Sequence, residues 1–214
     1  MINALLQRAS LIFWDFDGVI KDSVMVKSVA FEKLFLPYGR EIADRVKRHH
    51  ETHGGVSRFE KIPLYLSWAG ESGDAEQIQN FCDRFSKFAC QSVIDAPWVP
   101  GVRKYLQTHH GRQRFILVSA TPQAEMEQIV TALEIAPLFC EVHGAPKAKT
   151  EIICDVLQRF QCRKEDALMV GDAETDLLAA EKNHVPFLLR RTELNQRLTD
   201  RCVGAWFEKL GDEE

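Results

Sequence analysis

The segment Leu11-Ile-Phe-Trp-Asp15-Phe-Asp17-Gly18-Val-Ile20 runs an apolar stretch into two carboxylates with a glycine directly behind them. Aspartates at i and i+2 beyond a strand end point to one side, where like charges raise one pKa. One carboxylate then stays ionised as a nucleophile while the other works as general acid or base. A divalent ion would relieve their repulsion. Taken alone, the pair reads equally well as an Asx turn with a helix cap.

Three further segments have the same form of an apolar run followed by chemistry-bearing residues. Phe115-Ile-Leu-Val-Ser119-Ala120-Thr121-Pro122 delivers a hydroxyl to a strand end just before a helix, whose free amides can hold an anion. In isolation such a hydroxyl is a helix cap more often than a ligand. Ala167-Leu-Met-Val-Gly171-Asp172-Ala-Glu-Thr-Asp176 places two acids at the start of a helix, where acids also serve as simple dipole complements. Gly144-Ala-Pro146-Lys147-Ala-Lys149-Thr150 brings two lysines to the front of a helix, against the dipole, and a bound anion would explain them. Of the two, Lys149 stands directly before the helix in a K-x-x-I-I pattern.

These residues need a scaffold, and the elements around them alternate. Leu11–Trp14, Phe115–Val118, Ala167–Val170 and Val185–Leu189 have the length and apolarity of buried strands. Helical patterns at Gln123–Leu133, Thr150–Phe160 and Glu174–Asn183 lie between or after them. The alternation predicts an α/β fold with a parallel sheet, whose ligand sits beyond the carboxyl ends of the strands. From about Val24 to Val93 the alternation stops, and amphipathic helical patterns at Val26–Leu36, Arg58–Ala69 and Ala75–Cys90 predict an inserted helical module. Its hinges fall at Lys21–Asp22 and at Ala96–Gly101, where two prolines flank Trp98 and Val99. The core is then residues 1–22 and 97–214, and the helical cap residues 23–96.

In order, the D-F-D-G-V, Ser119, lysine and G-D-x-x-x-D elements resemble the four motifs of the haloacid dehalogenase superfamily, over nearly the whole chain. The resemblance implies a Rossmann-like parallel sheet core flanked by helices, with an α-helical cap inserted between the first two motifs. It implies a Mg2+-dependent phosphatase, in which Asp15 attacks phosphorus to form an aspartyl-phosphate and Asp17 protonates the leaving alcohol, then activates water. Mg2+ would be held by the Asp15 carboxylate, the Asp17 carbonyl and the Asp172 carboxylate, with Asp176, Gly18 and Gly171 in support. Ser119 would bind a phosphoryl oxygen beside Ala120. Lys149 would neutralise charge, while Lys147 matches the longer spacing of relatives with a K-P-x-P motif.

The cap segment His53-Gly54-Gly55-Val56-Ser57-Arg58-Phe-Glu-Lys61 is similar to the specificity loop of the β-phosphoglucomutase branch, making Gly55, Ser57 and Arg58 candidates for substrate contact. Lys61 is a weaker candidate, and a plain helix start with Arg58 in solvent is the alternative. The mutase's cap-proximal histidine is matched here by Lys27, and its Glu-Asp fourth motif by Gly171-Asp172, so hydrolysis is expected over phosphomutation or mere binding. The second aspartate, Asp17, disfavours dehalogenation. Lys21 reads either as a cleft residue or as a surface one. The cluster His49, His50, His53 reads as a solvated helix end, since H-H-x-x-H lacks the carboxylate of a metalloprotease. The tryptophans read as core or hinge packing.

Composition bounds the rest. With 45% hydrophobic and 27% charged residues in 214, the chain is globular and long enough for a sizeable core. A net charge of -4 gives no cationic field for nucleic acid, and no apolar run nears the roughly 20 residues of a membrane span. Six scattered cysteines without a C-x-x-C pair read mostly as small buried apolar residues. The N-terminus lacks the order of a secretory signal, so a cytoplasmic protein is expected, a monomer or homodimer acting on a small phosphorylated metabolite that the resemblance implies is a sugar phosphate or phosphoglycolate-like ester. Trp206, Phe207 and Leu210 predict that part of the C-terminal segment docks, with Asp212–Glu214 solvated.

Overall fold

The computed structural model describes residues 2–202 and 205–211. Its centre is a parallel sheet of six strands: β1 (Leu11–Trp14), β2 (Arg114–Pro122), β3 (Glu141–Ala145), β4 (Ala167–Gly171), β5 (Phe187–Arg190) and β6 (Trp206–Phe207). They are ordered β3-β2-β1-β4-β5-β6. The apolar runs become strands because both faces of this sheet are covered. Ile12, Trp14, Phe115, Leu117, Leu168 and Val170 face one buried cluster. Leu11, Phe13, Ile116, Val118, Ala167 and Met169 face the other. β1 is central, with Leu11 paired to Arg114 on one side and Ala167 on the other, so its end lies where the strand order reverses.

The helices are α1 (Ile2–Arg8), α2 (Val24–Phe35), α3 (Arg40–Thr52), α4 (Arg58–Trp68), α5 (Ala75–Asp95), α6 (Val102–His109), α7 (Gln123–Ala132), α8 (Lys149–Arg159), α9 (Glu174–Asn183) and α10 (Gln196–Thr199). Helices α2 to α5 enclose a cluster of their own, built on Phe31, Phe35, Tyr65, Leu66, Phe81 and Phe85, with the Phe31 and Phe85 rings 4.0 Å apart. The chain enters and leaves this cap through two adjacent segments: Val99 N–H bonds to the Ile20 carbonyl at 3.0 Å, and Asp22 N–H to the Pro97 carbonyl at 2.8 Å. Lys21 belongs to this hinge and neither to the cleft nor to the surface. It is buried, donates to the Ile94 carbonyl at 2.8 Å and lies 4.5 Å from the Trp98 ring centroid.

β3, β6, α1, α3, α6 and α10 are not among the expected elements. β3 is a half-buried edge strand without an apolar run, and α3 is so polar along its length that the three residues it buries, Ala43, Val46 and His50, make no apolar run despite their helical spacing. The cysteines are mixed, with Cys82 and Cys202 buried but Cys140 and Cys154 exposed, because the latter pair sits on an edge loop and the outer face of α8. Among the described residues no helix is long and apolar enough to cross a membrane.

The C-terminal segment docks through buried Phe207 and Leu210, while Asp212–Glu214 lie outside the described residues. Leu210 N–H bonds to the Pro100 carbonyl at 3.0 Å, bringing its own carbonyl over Gly101. Gly101 has φ +82, and a Cβ there would stand 1.9 Å from the Leu210 oxygen. Gly101→Ala therefore meets both left-handed strain and a backbone clash, and is expected to cost about 2 kcal/mol or more, lowering Tm on the order of 5 °C. Thermal unfolding followed by circular dichroism checks this, and an unchanged Tm contradicts the docked arrangement.

Candidate active site

Where β1 ends, Asp15 N–H still bonds to the Val170 carbonyl at 2.9 Å, so the sheet fixes its backbone as its side chain leaves. The turn behind it requires Gly18, at φ +79, because a Cβ there would stand 2.1 Å from Asp172 Oδ2. Gly171 makes the matching approach after β4, since its Cβ would stand 2.3 Å from that of Asp176. These two glycines let the loops after β1 and β4 close on each other.

One oxygen from each of Asp15, Asp172 and Asp176 lies within 4.8 Å of the others. A single cation serves them: Lys149 Nζ, in the first turn of α8, is 2.7 Å from Asp15 Oδ1 and 2.6 Å from Asp176 Oδ1. Asp176 is fully committed, because its Oδ2 accepts the N–H groups of Asp172 and Ala173 at 3.2 and 3.1 Å. The charge imbalance shows in the proton affinities. Burial and the charge of Asp176 push Asp15 up to about 7 against the pull of Lys149. Burial and the charge of Asp15 hold Asp172 well above the carboxylate range. Burial would lower Lys149, but Asp15 and Asp176 outweigh it and raise it.

Asp17 faces another way and has its own partners. Its Oδ2 accepts from Lys27 Nζ of α2, its Oδ1 from Ser23 Oγ at 2.6 Å, and Lys27 also reaches Thr121 Oγ1 at 2.8 Å. Burial raises the Asp17 pKa, but the charge and hydrogen bond of Lys27 prevail and hold it below its ordinary value. Without a metal the two aspartates thus differ in proton affinity, with Asp15 holding its proton more tightly than Asp17; a nucleophilic Asp15 needs that order reversed, which a cation on its carboxylate would do.

The donor set suits a hard divalent cation. Asp15 and Asp172 offer carboxylate oxygens without enough positive charge around them, and among the described residues no backbone N–H donates to the Asp17 carbonyl. Oxygen donors of this kind match Mg2+. Asp176, spent on Lys149 and two amides, supports the site without offering a free oxygen.

A cavity of about 50 Å3 lies above these groups, enough for a few waters or a small substrate group. Asp15, Asp17, Asp172, Ala120 and Thr121 line its core side, and Lys27, His50, Gly55, Arg58 and Lys61 its cap side. Ser119 is buried beneath, its Oγ accepting the Thr121 N–H at 3.1 Å.

Two expected contacts are not made. Ser57 is a helix cap, its Oγ accepting the Phe59 N–H at 3.3 Å, because it opens α4 and turns from the cavity. Lys147 lies outside the site, 45% exposed and 3.3 Å from Asp155, because the helix starts at Lys149 and only that residue points back to the sheet. One other reading is corrected and one candidate is placed in the site. His50 is no solvated helix end but is buried on the cavity wall, and Lys61, the weaker candidate, is 2% exposed there. Arg58 is committed to a carboxylate of the core. Its guanidinium forms a double hydrogen bond to Glu125 of α7 at 2.7 and 2.8 Å, donates to Ser86 of α5 at 2.6 Å and lies over the Phe85 ring.

Glu125, Thr121 and Lys27 are the residues that the motif reading underweighted. Lys27 left a readable signal, since it stands one helical turn after Ser23 and shares its face. Glu125 left none, because only the tertiary packing of cap on core sets it against Arg58.

The sequence profile of the haloacid dehalogenase-like hydrolases matches residues 9–184, a span that contains all four motif segments. The chain belongs to this family. No curated protein matches it. Among solved structures, a Lactobacillus plantarum protein named as a candidate phosphoglycolate phosphatase is 15% identical, with a TM-score of 0.74 over 94% of this chain and 95% of that one. A Thermotoga maritima protein named as a candidate β-phosphoglucomutase is 18% identical, with a TM-score of 0.66 over 92% and 94%. A haloacid dehalogenase-like hydrolase of Streptococcus pneumoniae is 18% identical, with a TM-score of 0.62 over 86% and 85%. At these identities the likeness shows the fold.

For this hydrolase, the two lysines should separate cleanly. Lys149→Met leaves buried carboxylates without a counter-charge and is expected to cost about 3–5 kcal/mol at neutral pH. Lys147→Met, at a solvated pair, should stay within about 0.5 kcal/mol. Urea denaturation of both variants measures this, and equal effects contradict the placement.

The clasp between cap and core predicts a pH dependence. Burial raises the Glu125 pKa, but the hydrogen bonds and charge of Arg58 prevail and hold it below the ordinary 4.5. Its stabilising contribution is therefore full above 4.5 and is lost as pH falls through the lower folded value. Glu125→Gln should be clearly less stable than wild type at pH 7, and the gap should narrow in acid below that point. A gap independent of pH shows that the pair contributes no charge-dependent stability.

Proposed function

We propose that this hydrolase is a Mg2+-dependent phosphatase of small phosphomonoesters, working through an aspartyl-phosphate on Asp15. The observation that carries the reading is the division between two aspartates two residues apart: Asp15 bound to Lys149 in the core, Asp17 bound to Lys27 and Ser23 of the cap side.

Asp15 keeps Oδ1 on Lys149 and presents its other oxygen to the cavity as the nucleophile. Attack on phosphorus forms the bond to Asp15 and breaks the bond to the ester oxygen. Lys149 offsets charge on the nucleophile and, with the amides before α7, on the phosphoryl oxygens. Asp17 and Lys27 together hold the proton that the departing oxygen takes through the Asp17 carboxyl, and the ionised Asp17 then removes a proton from the water that attacks the phosphoaspartate. Mg2+ held by Asp15, Asp172 and the Asp17 carbonyl would supply charge neutralisation for the phosphoryl group. The small cavity under the cap excludes bulk water from the intermediate.

Phosphate release from a panel of phosphorylated metabolites, with Mg2+ and with EDTA, tests the reading. Wild type is expected to release phosphate only with the metal, and Asp15→Asn to lose at least about a thousandfold in kcat while keeping its fold. Substantial activity in folded Asp15→Asn, or transfer of labelled phosphate to a second hydroxyl in place of water, would overturn it.

A further inference from the structure

The motif segments alone do not fix Asp172. It stands just past the end of β4, and the last pair between β4 and β5 is Gly171 with Leu189, so the sheet no longer holds its backbone. Half of that backbone is held within the motif, since the Asp172 N–H donates to Asp176 Oδ2 at 3.2 Å. The other half is held from farther along the chain. Asn195 Nδ2, 23 residues on, donates to the Asp172 carbonyl at 2.7 Å.

Asn195 is buried, and both ends of its amide are committed. Its Nδ2 also donates to the Arg190 carbonyl at 2.8 Å, and its Oδ1 accepts the Thr192 N–H at 2.7 Å. Asp172 and Arg190 are the residues that follow the last ladder pair, so one side-chain nitrogen joins the two strand ends just past their paired residues. A primary amide has the two N–H groups that this requires, whereas an apolar side chain would leave both carbonyls without a partner. The short turn that presents it, Glu193–Asn195, is capped by Thr192, whose Oγ1 accepts the Leu194 N–H at 3.2 Å. This turn lies beyond residues 9–184, the span that the family profile matches.

We propose that Asn195 is a positioning residue for the metal site, fixing the Asp172 backbone so that its carboxylate is held ready for the cation. The proposal rests on the reading of Asp15 and Asp172 as Mg2+ ligands. With the Asp172 N–H held by Asp176 and its carbonyl by Asn195, the carboxylate is left only its own side-chain torsions. Asn195 touches neither the carboxylate nor the cavity wall, so it acts through Asp172 alone. Mg2+ demands near-ideal octahedral placement of its oxygens, whereas Ca2+ accepts irregular geometry. A loosened Asp172 should therefore weaken Mg2+ more than Ca2+, a difference that a merely structural role for Asn195 would not produce.

The test titrates metal-free protein with Mg2+ and with Ca2+ by isothermal calorimetry, for wild type, Asn195→Leu, Asn195→Ser and Thr192→Val. Asn195→Leu keeps a similar volume without the N–H groups, and Thr192→Val removes the hydroxyl that caps the same turn while leaving the contact to Asp172. Asn195→Leu is expected to raise the Kd for Mg2+ by about tenfold or more, as loss of a group that orients a metal ligand does, and to raise the Kd for Ca2+ by less. Asn195→Ser should shift both in the same sense, and Thr192→Val should leave the Mg2+ Kd unchanged. An unchanged Mg2+ Kd in folded Asn195 variants, an equal rise for both cations, or an equal rise in Thr192→Val overturns the positioning role and leaves the phosphatase reading standing. Absence of Mg2+ binding by wild type removes the metal reading as well. Should Asn195→Leu not fold, Asn195→Ser decides.

Discussion

Three carboxylates share one lysine at the carboxyl ends of β1 and β4, and the structure is arranged around that imbalance. Within 4.8 Å and at an effective dielectric constant near 20, each like-charged pair would repel by about 3 kcal/mol or more if both members were ionised. Lys149 offsets part of this for Asp15 and Asp176, and two backbone amides satisfy the rest of Asp176. What is left falls on Asp15 and Asp172, which respond by holding protons. In the proposed reading a divalent cation would take the place of those protons. The sheet bears the strain because it is buried on both faces and positions its strand ends rigidly.

The cap enters this arrangement through charge as much as through shape. Asp15 is governed by the core, through Lys149, whereas Asp17 is governed by α2, through Lys27 and with Ser23 at the hinge. Arg58 and Glu125 join the two halves on the far side of the cavity, so the residue expected to grip the substrate instead holds cap to core. The proton affinity of Asp17 is therefore tied to where the cap sits. In the proposed mechanism this would link the inserted module to the acid–base step and give it a role beyond covering the substrate.

Much of this was legible in the sequence where a local rule applied. The four apolar runs that end in Asp15, Ser119, Asp172 and the last inner strand read as strands because both their faces are buried, and Gly18 and Gly171 marked close backbone approach. β3 and α3 were not legible, since a half-buried edge strand and a mostly polar helix offer no apolar run. Side-chain destinations were the least legible. Arg58 and Lys61 stand three residues apart on one helix, yet one reaches Glu125 and the other His50, and only the packing of α3, α4 and α7 decides which. Lys147 and Lys149 differ by two residues in sequence, but the helix start turns one to solvent and the other to Asp15.

The imbalance itself is most directly tested by thermal unfolding of wild type and Asp172→Asn with and without Mg2+. The account predicts that Mg2+ raises the wild-type Tm saturably, as a ligand of the folded state does. It also predicts that metal-free Asp172→Asn is more stable than metal-free wild type, because one repelling carboxylate is gone, and that the variant loses the Mg2+ response. A wild-type Tm indifferent to Mg2+, or an equal rise in Asp172→Asn, would contradict it.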